Sequence, residues 1–410
     1  MTAYSQYVQL YFLLFAPFAL HVTYLTLFYQ RRGFTNFQIG VLEAVGSVCI
    51  IASPFVWGPL GDRVRRKSRL IAALALGMAL FFPLLWYAPR SLWLCAPLVA
   101  GLYLCRAPLI PLIDASFLDE LAARGDSGGE TYGRVRIAGS VGFMVAATVL
   151  PLVLADELHA DPLRRLAPVF AAFALVALLL ALRAATLREP SRHAAHEQLD
   201  RGHLRAVLAL PQYKRLLALL VLSWLCNQSY YLFFSLYLES TGVPDRLKGV
   251  YWSMGVLAEV VLLAAGPWLL RRYGVRRMIL AGFAGRALRL FAFCLPHRPL
   301  VTLFIFQPLH ALAFAAVHLG TMAFLARTVP SRLRATGQVL NAGLVTGVGG
   351  VAGSLLAGWV SDYTRAGHPL CGLRDIHAAF FAMGVIQTVV LLVAWLKLRE
   401  PPPAEAPVSA

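Results

Sequence analysis

Long apolar runs constrain this chain more than any other feature of its sequence. A helix needs about 20 apolar residues to cross a bilayer core of about 30 Å. Twelve such runs, separated by charged residues, glycine or proline, cover about 5–30, 36–58, 68–88, 92–120, 132–154, 166–187, 212–240, 246–271, 275–295, 299–327, 334–361 and 376–398. The pattern predicts an all-α membrane protein with twelve transmembrane helices, numbered below as predicted spans 1 to 12.

Composition supports the membrane prediction and argues against other classes. Hydrophobic residues make up 59% of the 410 residues and charged residues only 14%, too few to cover a soluble globular surface. The formal charge of +17 does not indicate a nucleic-acid partner, because the basic residues lie in short clusters between apolar runs. Six scattered cysteines have neither metal spacing nor a disulfide framework, so we expect no cofactor and no metal.

Basic residues also predict the orientation of the chain. Most of the 37 lysines and arginines fall in the even-numbered connections and the tail, and short cytoplasmic loops are enriched in such residues. The first apolar run lacks a basic leader and a small-residue cleavage pattern, so we interpret it as a spanning helix and not as a signal peptide. We expect a monomeric, multi-pass protein of the bacterial inner membrane with both termini in the cytoplasm.

The longest connection divides the chain into two sets of six spans. It is charged and carries Pro190 and Pro211. Gly58-Pro59 recurs as Gly266-Pro267, each time before a basic loop, which favours an internal repeat. We predict an N-terminal six-helix bundle over 1–190, a cytoplasmic central loop over 191–211, a C-terminal six-helix bundle over 212–400 and a disordered tail over 401–410.

A charged hinge at 58–67 joins spans 2 and 3. Its residues Asp62, Arg63 and Arg66 lie directly between two apolar runs. The spacing resembles the loop between helices 2 and 3 of the major facilitator superfamily, although the glycine expected among the bases is missing. That resemblance implies that these three residues stabilise one closed state at the cytoplasmic face. An ordinary positive-inside loop is the alternative.

Ionisable residues inside spans are costly, at about 3 kcal/mol each at the bilayer centre. Each therefore needs a partner, a water-filled cavity or a function. By span they are His21, Glu43, Arg106, Asp114, Arg134, Arg136, Glu259, Arg286, Arg289, His310 and His318. If Arg106, Arg136 and one of the two span 9 arginines face a cavity with Asp114 and Glu259, one positive charge is left over. The balance favours an anionic ligand such as a carboxylate.

Glu259 is the strongest candidate for a proton carrier. Helical spacing puts it on one stripe with Trp252, Gly255 and Gly266, a face that should look inward. Burial favours the neutral form of a carboxyl group, so it can hold a proton near neutral pH. The alternative is a structural ion pair with a span 9 arginine. His310 could relay protons to Glu259 or simply bond a backbone carbonyl.

Span 7 carries Trp224, Asn227 and Tyr231 at helical spacing. Together these side chains could hold a ligand ring and its polar groups. Packing between helices is the alternative interpretation, as it is for His21 in span 1.

Beyond the hinge, the chain resembles the lactose permease and phenylpropionate permease branch of that superfamily. The resemblance is carried by 108–115 in span 4, 132–143 in span 5, 255–259 in span 8 and Leu309-His310 in span 10. It implies two six-helix bundles with a substrate bound near the midplane.

The resemblance also implies roles for single residues. Arg136 matches the helix 5 arginine that binds sugar in lactose permease, and Phe143 takes the place of its stacking tryptophan. Glu259 matches the substrate and coupling acid, and His310 matches the helix 10 histidine. Arg289 lies within one position of the helix 9 arginine, with Arg286 as the alternative.

Two departures limit what the resemblance implies. Ala313 stands where lactose permease has a protonated carboxylate, and Gln307 stands where it has a lysine. Proton carriage must then fall on Glu259, Asp114 or a histidine. The missing stacking tryptophan argues against a galactoside. The phenylpropionate permease type shares these losses, so the resemblance implies an aromatic or small organic acid.

The sequence thus predicts a secondary transporter that imports a small organic acid with a proton by alternating access. The predicted substrate contacts are Arg136, Arg289, Arg106, Phe143, Asn227, Tyr231 and His21, and the predicted proton-coupling residues are Glu259, His310 and Asp114. A sugar or nucleoside symporter, a drug or metabolite exporter and a membrane sensor are the alternatives. No nucleophile and base pair stands out, so we do not expect an enzyme. The expected partners are a small molecule, protons and the lipid bilayer.

Overall fold

The computed structural model describes residues 3–64, 66–125, 129–154, 159–187 and 201–402. Those residues are helical almost throughout and form no strand beyond an isolated bridge between Leu370 and Leu373. The predicted all-α class is confirmed.

The first half of the chain forms seven α-helices. They are α1 (Ala3–Arg31), α2 (Asn36–Arg63), α3 (Lys67–Tyr87), α4 (Leu92–Arg106), α5 (Leu109–Ala123), α6 (Gly129–Leu154) and, after a 3-10 turn at Arg164–Leu166, α7 (Ala167–Ala185). Thr35 begins α2 with a capping box, because its hydroxyl accepts from the Gln38 N–H and the Gln38 side chain accepts from the Thr35 N–H.

The second half contains longer helices and short helical pieces. They are α8 (Arg201–Leu208), α9 (Pro211–Ser240), α10 (Asp245–Tyr273), α11 (Val275–Ala292), α12 (Pro299–Val301), α13 (Leu309–Ala311), α14 (Val317–Thr328), α15 (Arg334–Asn341), α16 (Gly349–Arg365) and α17 (Asp375–Lys397). Three π-helical segments lie among them, at Thr302–Phe306, Leu312–Ala316 and Ala342–Val348, and Ser331–Leu333 is a 3-10 turn.

Eleven segments of the described chain are long and apolar enough to cross a membrane. The remaining predicted span, span 9, is the 18-residue helix α11, which carries Arg276, Arg277, Arg286 and Arg289. Its arginines set it apart from the other eleven. Each predicted span nevertheless corresponds to helical structure at the expected place.

Span 4 is interrupted at Pro108 and consists of two helices. α4 ends at Arg106 and α5 begins at Leu109. Pro108 has no N–H to donate, so the helical hydrogen bonds are interrupted there, although Ala107 and Pro108 keep helical backbone angles. The break places Arg106 and Asp114 on separate helices.

The chain divides into two compact units. The first unit contains Met1–His196 and Leu232–Ser253, and the second contains Glu197–Tyr231 and Met254–Ala410. The ends of α9 and α10 that face each other across residues 241–244 therefore belong to the first unit. The predicted bundle boundary at 191–211 stays a prediction.

Each unit has its own apolar core. In the first unit α1 packs along α6 and α7, and α3 packs along α7. Stacked rings of Phe82, Phe170 and Phe173 fill the space between α3 and α7. In the second unit α11 packs against α14 and α17 around the buried side chains of Ile279 and Phe283. Aromatic and aliphatic burial of this kind holds the helices that carry the polar residues.

Some predictions fall outside the described residues. The side chains of Asp62 and Arg63 are among them, although the backbone of α2 continues to Arg63. So are residues 191–200 of the predicted central loop and 403–410 of the predicted tail. The rest of that loop includes helix α8.

Candidate functional site

Arg289 is the centre of a polar cluster in the second unit. α11 places its side chain at 0% exposure. The guanidinium donates to Asn227 Oδ1 on α9 at 2.7 Å, and its other terminal nitrogen lies 2.6 Å from His310 Nδ1 on α13. It also lies over the Tyr230 ring, 3.8 Å from the centroid. Three of the sequence-predicted site residues, Arg289, Asn227 and His310, are thus in direct contact.

The protonation of His310 follows from its partner. Arginine has only donors, so His310 Nδ1 accepts from Arg289 and the neutral ring carries its proton on Nε2. That nitrogen lies 3.7 Å from Glu259 Oε2 on α10. Glu259 is partly exposed, whereas His310 is buried. These contacts connect Arg289 to His310 and His310 to Glu259.

A close approach at Gly255 brings α10 to this cluster. A Cβ on Gly255 would lie 3.2 Å from Gln307 Nε2 and 3.3 Å from the His310 ring. Gln307 in turn donates to the Tyr230 hydroxyl at 2.8 Å. Gly255 and Glu259 lie one turn apart and share a face, as their spacing predicts.

The helical register around His310 is irregular. α13 is a single turn between the π-helical segments Thr302–Phe306 and Leu312–Ala316. A π turn inserts a residue and redirects the side chains that follow it, and such turns are frequent at functional sites. His310 therefore lies where the backbone departs from regular helix.

Arg286 has a different environment from Arg289. It donates to Ser223 Oγ and to the Ala313 carbonyl, both at 2.5 Å. Ser223 donates to Gln387 Oε1. These contacts join α9, α11, α17 and the segment after His310. Among the predicted ligands, it is Arg289 and not Arg286 that contacts Asn227 and His310.

Trp224 and Tyr231 lie beside this cluster on α9. Their ring centroids are 5.9 Å apart. Both side chains are partly exposed, whereas Tyr230 is buried under Arg289. Trp224 and Tyr231, the two rings predicted in span 7, are thus more accessible than the neighbouring ring of Tyr230.

A second cluster in the first unit combines arginines with aromatic rings. The Arg106 guanidinium lies 4.6 Å from the ring centroids of both Phe18 and Tyr103. Phe143 meets Phe18 edge to face at 6.0 Å. Arg106 is partly exposed, so its N–H donors are available while the rings hold its flat face.

Arg136 is held in the same manner. Its guanidinium lies 4.4 Å from the Phe15 centroid and 5.3 Å from that of Tyr11. The Tyr11 hydroxyl donates to Asp114 Oδ1 at 2.5 Å. Of the three predicted proton-coupling residues, Asp114 therefore lies in the first unit beside Arg136, and the other two lie in the second.

His21 belongs to a further hydrogen-bonded group in the first unit. Its Nε2 lies 3.3 Å from the Tyr103 hydroxyl, which donates to Glu43 Oε2 at 2.6 Å. His21 and Tyr103 are buried, at 4% and 5% exposure. Sequence reasoning noticed Glu43 as an ionisable residue inside a span but did not connect it with His21.

Two ion-pair groups were not anticipated from the sequence. At one end of the first unit, Lys67 pairs with Asp119 at 2.8 Å, both nearly buried. At the other, Arg31 pairs with Glu239 and with Asp245 at 2.8 and 2.7 Å, and Lys248 also pairs with Asp245. Only their position at span ends could have drawn attention to them. Arg66, which was predicted to act in gating, precedes Lys67 and is exposed.

The two clusters contain residues beyond the predicted site, and the sequence carries a signal for them. Tyr103 is three residues before Arg106 and therefore shares its helix face. Tyr230 is the neighbour of Tyr231, and Gln307 precedes His310 by three residues. Polar and aromatic residues at helical spacing from an intramembrane charge deserve inclusion in a candidate site.

Comparison with known proteins identifies the family. The model of the MFS_1 like family matches residues 4–368. The chain belongs to that family. It is 28% identical over 320 residues to the probable 3-phenylpropionic acid transporter of Escherichia coli K12, covering 77% of this chain and 80% of that protein. It is 22% identical over 386 residues to the putative nucleoside transporter YegT of the same organism, covering 91% and 88%.

Solved structures agree on the fold. A mutant of the nucleoside transporter NupG superposes with a TM-score of 0.82 at 18% identity, covering 97% of this chain and 100% of that one. The family and fold make this protein a multi-pass secondary transporter of the major facilitator superfamily with a small-molecule substrate, and not an enzyme.

Proposed function

We propose that this transporter imports a small aromatic organic acid together with protons by alternating access. In this proposal the bundles at 1–190 and 212–400 move during transport. The protein acts as a monomer in a bacterial inner membrane, with both termini in the cytoplasm. The distribution of basic residues supports this orientation.

The observation that carries the proposal is unpaired positive charge inside the second unit. Arg286 and Arg289 are buried, and within the described residues their hydrogen-bond partners are neutral side chains and a carbonyl. Their Nε atoms have no hydrogen-bond partner in the part of the chain that the structure describes. Buried charge is costly without a counter-charge. A substrate carboxylate at Arg289 would supply one.

Aromatic side chains beside the arginines support a ring-bearing acid. In the first unit Phe143 and Phe18 lie next to Arg106, and Phe15 lies under Arg136. A flat ring can stack on such side chains while its carboxylate pairs with a guanidinium. The relative named as a probable 3-phenylpropionic acid transporter supports the same ligand class.

The contact between Arg289 and His310 supports the proposed proton coupling. While Arg289 donates to His310 Nδ1, that nitrogen cannot take a proton. A substrate carboxylate that draws the Arg289 donors away frees Nδ1, and the imidazolium then formed can pair with Glu259. Anion and proton thus favour each other's binding, and the coupling is reciprocal. Asp114, which accepts from Tyr11, is a further carrier in the first unit.

A nucleoside symporter is the second candidate. Asn227, Gln307 and Tyr231 offer amide and aromatic groups of the kind that bind a base and its polar edge. The putative nucleoside transporter YegT covers more of this chain than the phenylpropionic acid relative does. Such a ligand would leave the buried arginines without a counter-charge, which is why the acid is preferred.

External pH in lightly buffered, energised cells decides between the two. We expect alkalinisation when 3-phenylpropionate is added, no response to nucleosides or sugars, and loss of the response in Glu259→Gln. Alkalinisation by nucleosides alone would replace the acid with the second candidate. Silence with every ligand in cells that contain the protein would contradict proton-coupled import.

We also propose a gating role for the hinge at 58–67. If Asp62, Arg63 and Arg66 stabilise one closed state, Asp62→Asn slows transport about tenfold or more, because conformational exchange is disturbed. Ligand affinity stays within about twofold, since the substrate contacts are untouched. Uptake and binding measured on the same preparation test this, and unchanged uptake would exclude the gating role.

A further inference from the structure

We propose that His21, Tyr103 and Glu43 form a second proton-transfer path in the first unit and that Glu43 is a second coupling acid. This inference rests on the proposed proton coupling. It concerns residues that the resemblance assigns either to substrate contact or to nothing.

The three side chains make a continuous hydrogen-bonded chain from three helices. The Tyr103 hydroxyl on α4 donates to Glu43 Oε2 on α2 at 2.6 Å. Its oxygen can therefore accept from His21 Nε2 on α1, which lies 3.3 Å away. His21 Nδ1 is buried and has no hydrogen-bond partner among the described residues. A buried nitrogen of this kind is the open end of the chain.

Local packing keeps this chain in place. A Cβ on Gly46, one turn after Glu43, would lie 2.5 Å from the Tyr103 ring, so only glycine lets the ring lie against α2. The His21 ring meets the Tyr103 ring edge to face at 5.3 Å, and Phe82 lies 6.1 Å from His21. The hydroxyl is thereby held between the acid and the imidazole.

The hydrogen-bonded path leads from the N-terminal part of α2 toward the interior of the first unit. Glu43 is seven residues after the first residue of α2, or about 10 Å along the helix. It is partly exposed, whereas Tyr103 and His21 are buried. Glu43 is thus the accessible end and His21 the interior end.

Proton transfer along the path from His21 to Glu43 conserves the number of protons. A proton binds at His21 Nδ1, the Nε2–H bond breaks as the Tyr103 oxygen takes that proton, and the original hydroxyl proton of Tyr103 passes to Glu43 Oε2. The imidazole ends neutral with its proton on Nδ1, and Glu43 ends as a carboxylic acid. The reverse sequence returns a proton from Glu43 to the interior.

Arg106 links this path to substrate binding. It is the charged group that faces the chain from α4, and the other titratable groups nearby are Tyr29, Cys49 and Cys95. The Arg106 guanidinium lies 4.6 Å from the Tyr103 ring centroid, so its positive charge is close to the hydrogen-bonded path. A substrate anion at Arg106 offsets that charge, so Glu43 then binds a proton more readily.

The two acids together predict two protons per substrate. In liposomes with the membrane potential clamped at zero, each coupled proton supports about a tenfold accumulation ratio per unit of pH gradient. We expect about a hundredfold ratio for the wild type and about tenfold for Glu43→Gln and Tyr103→Phe. Exchange of labelled for unlabelled substrate, which moves no net proton, should stay within about twofold in Glu43→Gln. Glu120→Gln, an acid of the same unit that pairs with Arg124, serves as the matched control.

Equal accumulation by wild type and Glu43→Gln would overturn the proposal. Equal loss of accumulation and exchange in Glu43→Gln would also overturn it, since that result indicates a purely structural acid.

A measurement without substrate separates this inference from the proposed function. Infrared difference spectra of the purified protein between acid and alkaline pH should contain a protonated carboxyl band that is absent in Glu43→Gln and shifted in Tyr103→Phe. Absence of a Glu43-dependent band would overturn the path. If no ligand is transported by the wild type, the proposed function fails, but the band still decides whether Glu43 exchanges a proton in contact with Tyr103.

Discussion

The arginines of the two units are held in different ways. Arg289 in the second unit is fully buried and hydrogen-bonds directly to Asn227 and His310. Arg106 and Arg136 in the first unit are partly exposed and lie against aromatic rings. A ring holds the face of a guanidinium without using its N–H donors, whereas a hydrogen bond uses them.

This difference suggests different tasks for the two units. Arg106 and Arg136 can bind an anion without giving up a hydrogen bond to any residue that the structure describes. Arg289 can do so only by releasing Asn227 or His310, so anion binding there changes what His310 can do. An arginine of the first kind is suited to capture the anion with donors that are still unused, whereas Arg289 must change its own hydrogen bonds to bind one.

Replacement of Arg289 should have the largest effect. Arg289→Ala leaves His310 and Asn227 without their donor and removes the anion partner, so we expect uptake to fall about 100-fold or more. Arg289→Lys should recover little, because one ammonium cannot reach both partners in the planar geometry of a guanidinium. Initial uptake rates in cells with matched protein levels provide the measurement. Near-normal uptake by Arg289→Lys would remove the distinction between the two kinds of arginine.

Replacement of Arg106 should have a smaller effect of a different type. Arg106→Lys keeps a cation over the Phe18 and Tyr103 rings but loses the planar fork, so we expect KM to rise about tenfold with little change in kcat. Concentration-dependent uptake separates the two constants. A fall in kcat with an unchanged KM would contradict the capture role of Arg106 and reverse the comparison.

Two glycines offer a finer test of the clusters. A Cβ at Gly46 meets the Tyr103 ring at 2.5 Å, and a Cβ at Gly255 meets Gln307 and His310 at 3.2 and 3.3 Å. The overlap with the Tyr103 ring requires a real displacement, whereas contacts at 3.2 and 3.3 Å require Gln307 and His310 to shift by only a few tenths of an ångström. Gly46→Ala should therefore reduce pH-driven accumulation about fivefold, and Gly255→Ala less than about twofold. A larger loss in Gly255→Ala would indicate that the second cluster is the more rigid one.

The sequence predicts the helices well because the bilayer imposes one length and one composition on them. The break in span 4 follows from Pro108 for a local reason. Intramembrane charges such as Glu259 and Arg289 are also conspicuous, since each is unusual in its surroundings. These features depend on neighbours in sequence or on the solvent, and both can be read without a structure.

Partners in the clusters could not be predicted in the same way. The chain from His21 through Tyr103 to Glu43 draws one residue from each of three helices, so no spacing reveals it. Arg286 and Arg289 are both buried within one turn of α11, and only the residues opposite distinguish them. The π-helical segments beside His310 likewise have no local sequence signature here.

Proton uptake by the purified protein on ligand binding tests the central claim most directly. In unbuffered detergent solution near neutral pH, addition of 3-phenylpropionate should make the wild type take up protons, because the anion releases His310 from Arg289. His310→Asn and Glu259→Gln should each take up fewer protons, while binding of the acid itself remains detectable. Ligand binding to the wild type with no proton uptake would contradict the account, since anion and proton would then bind independently.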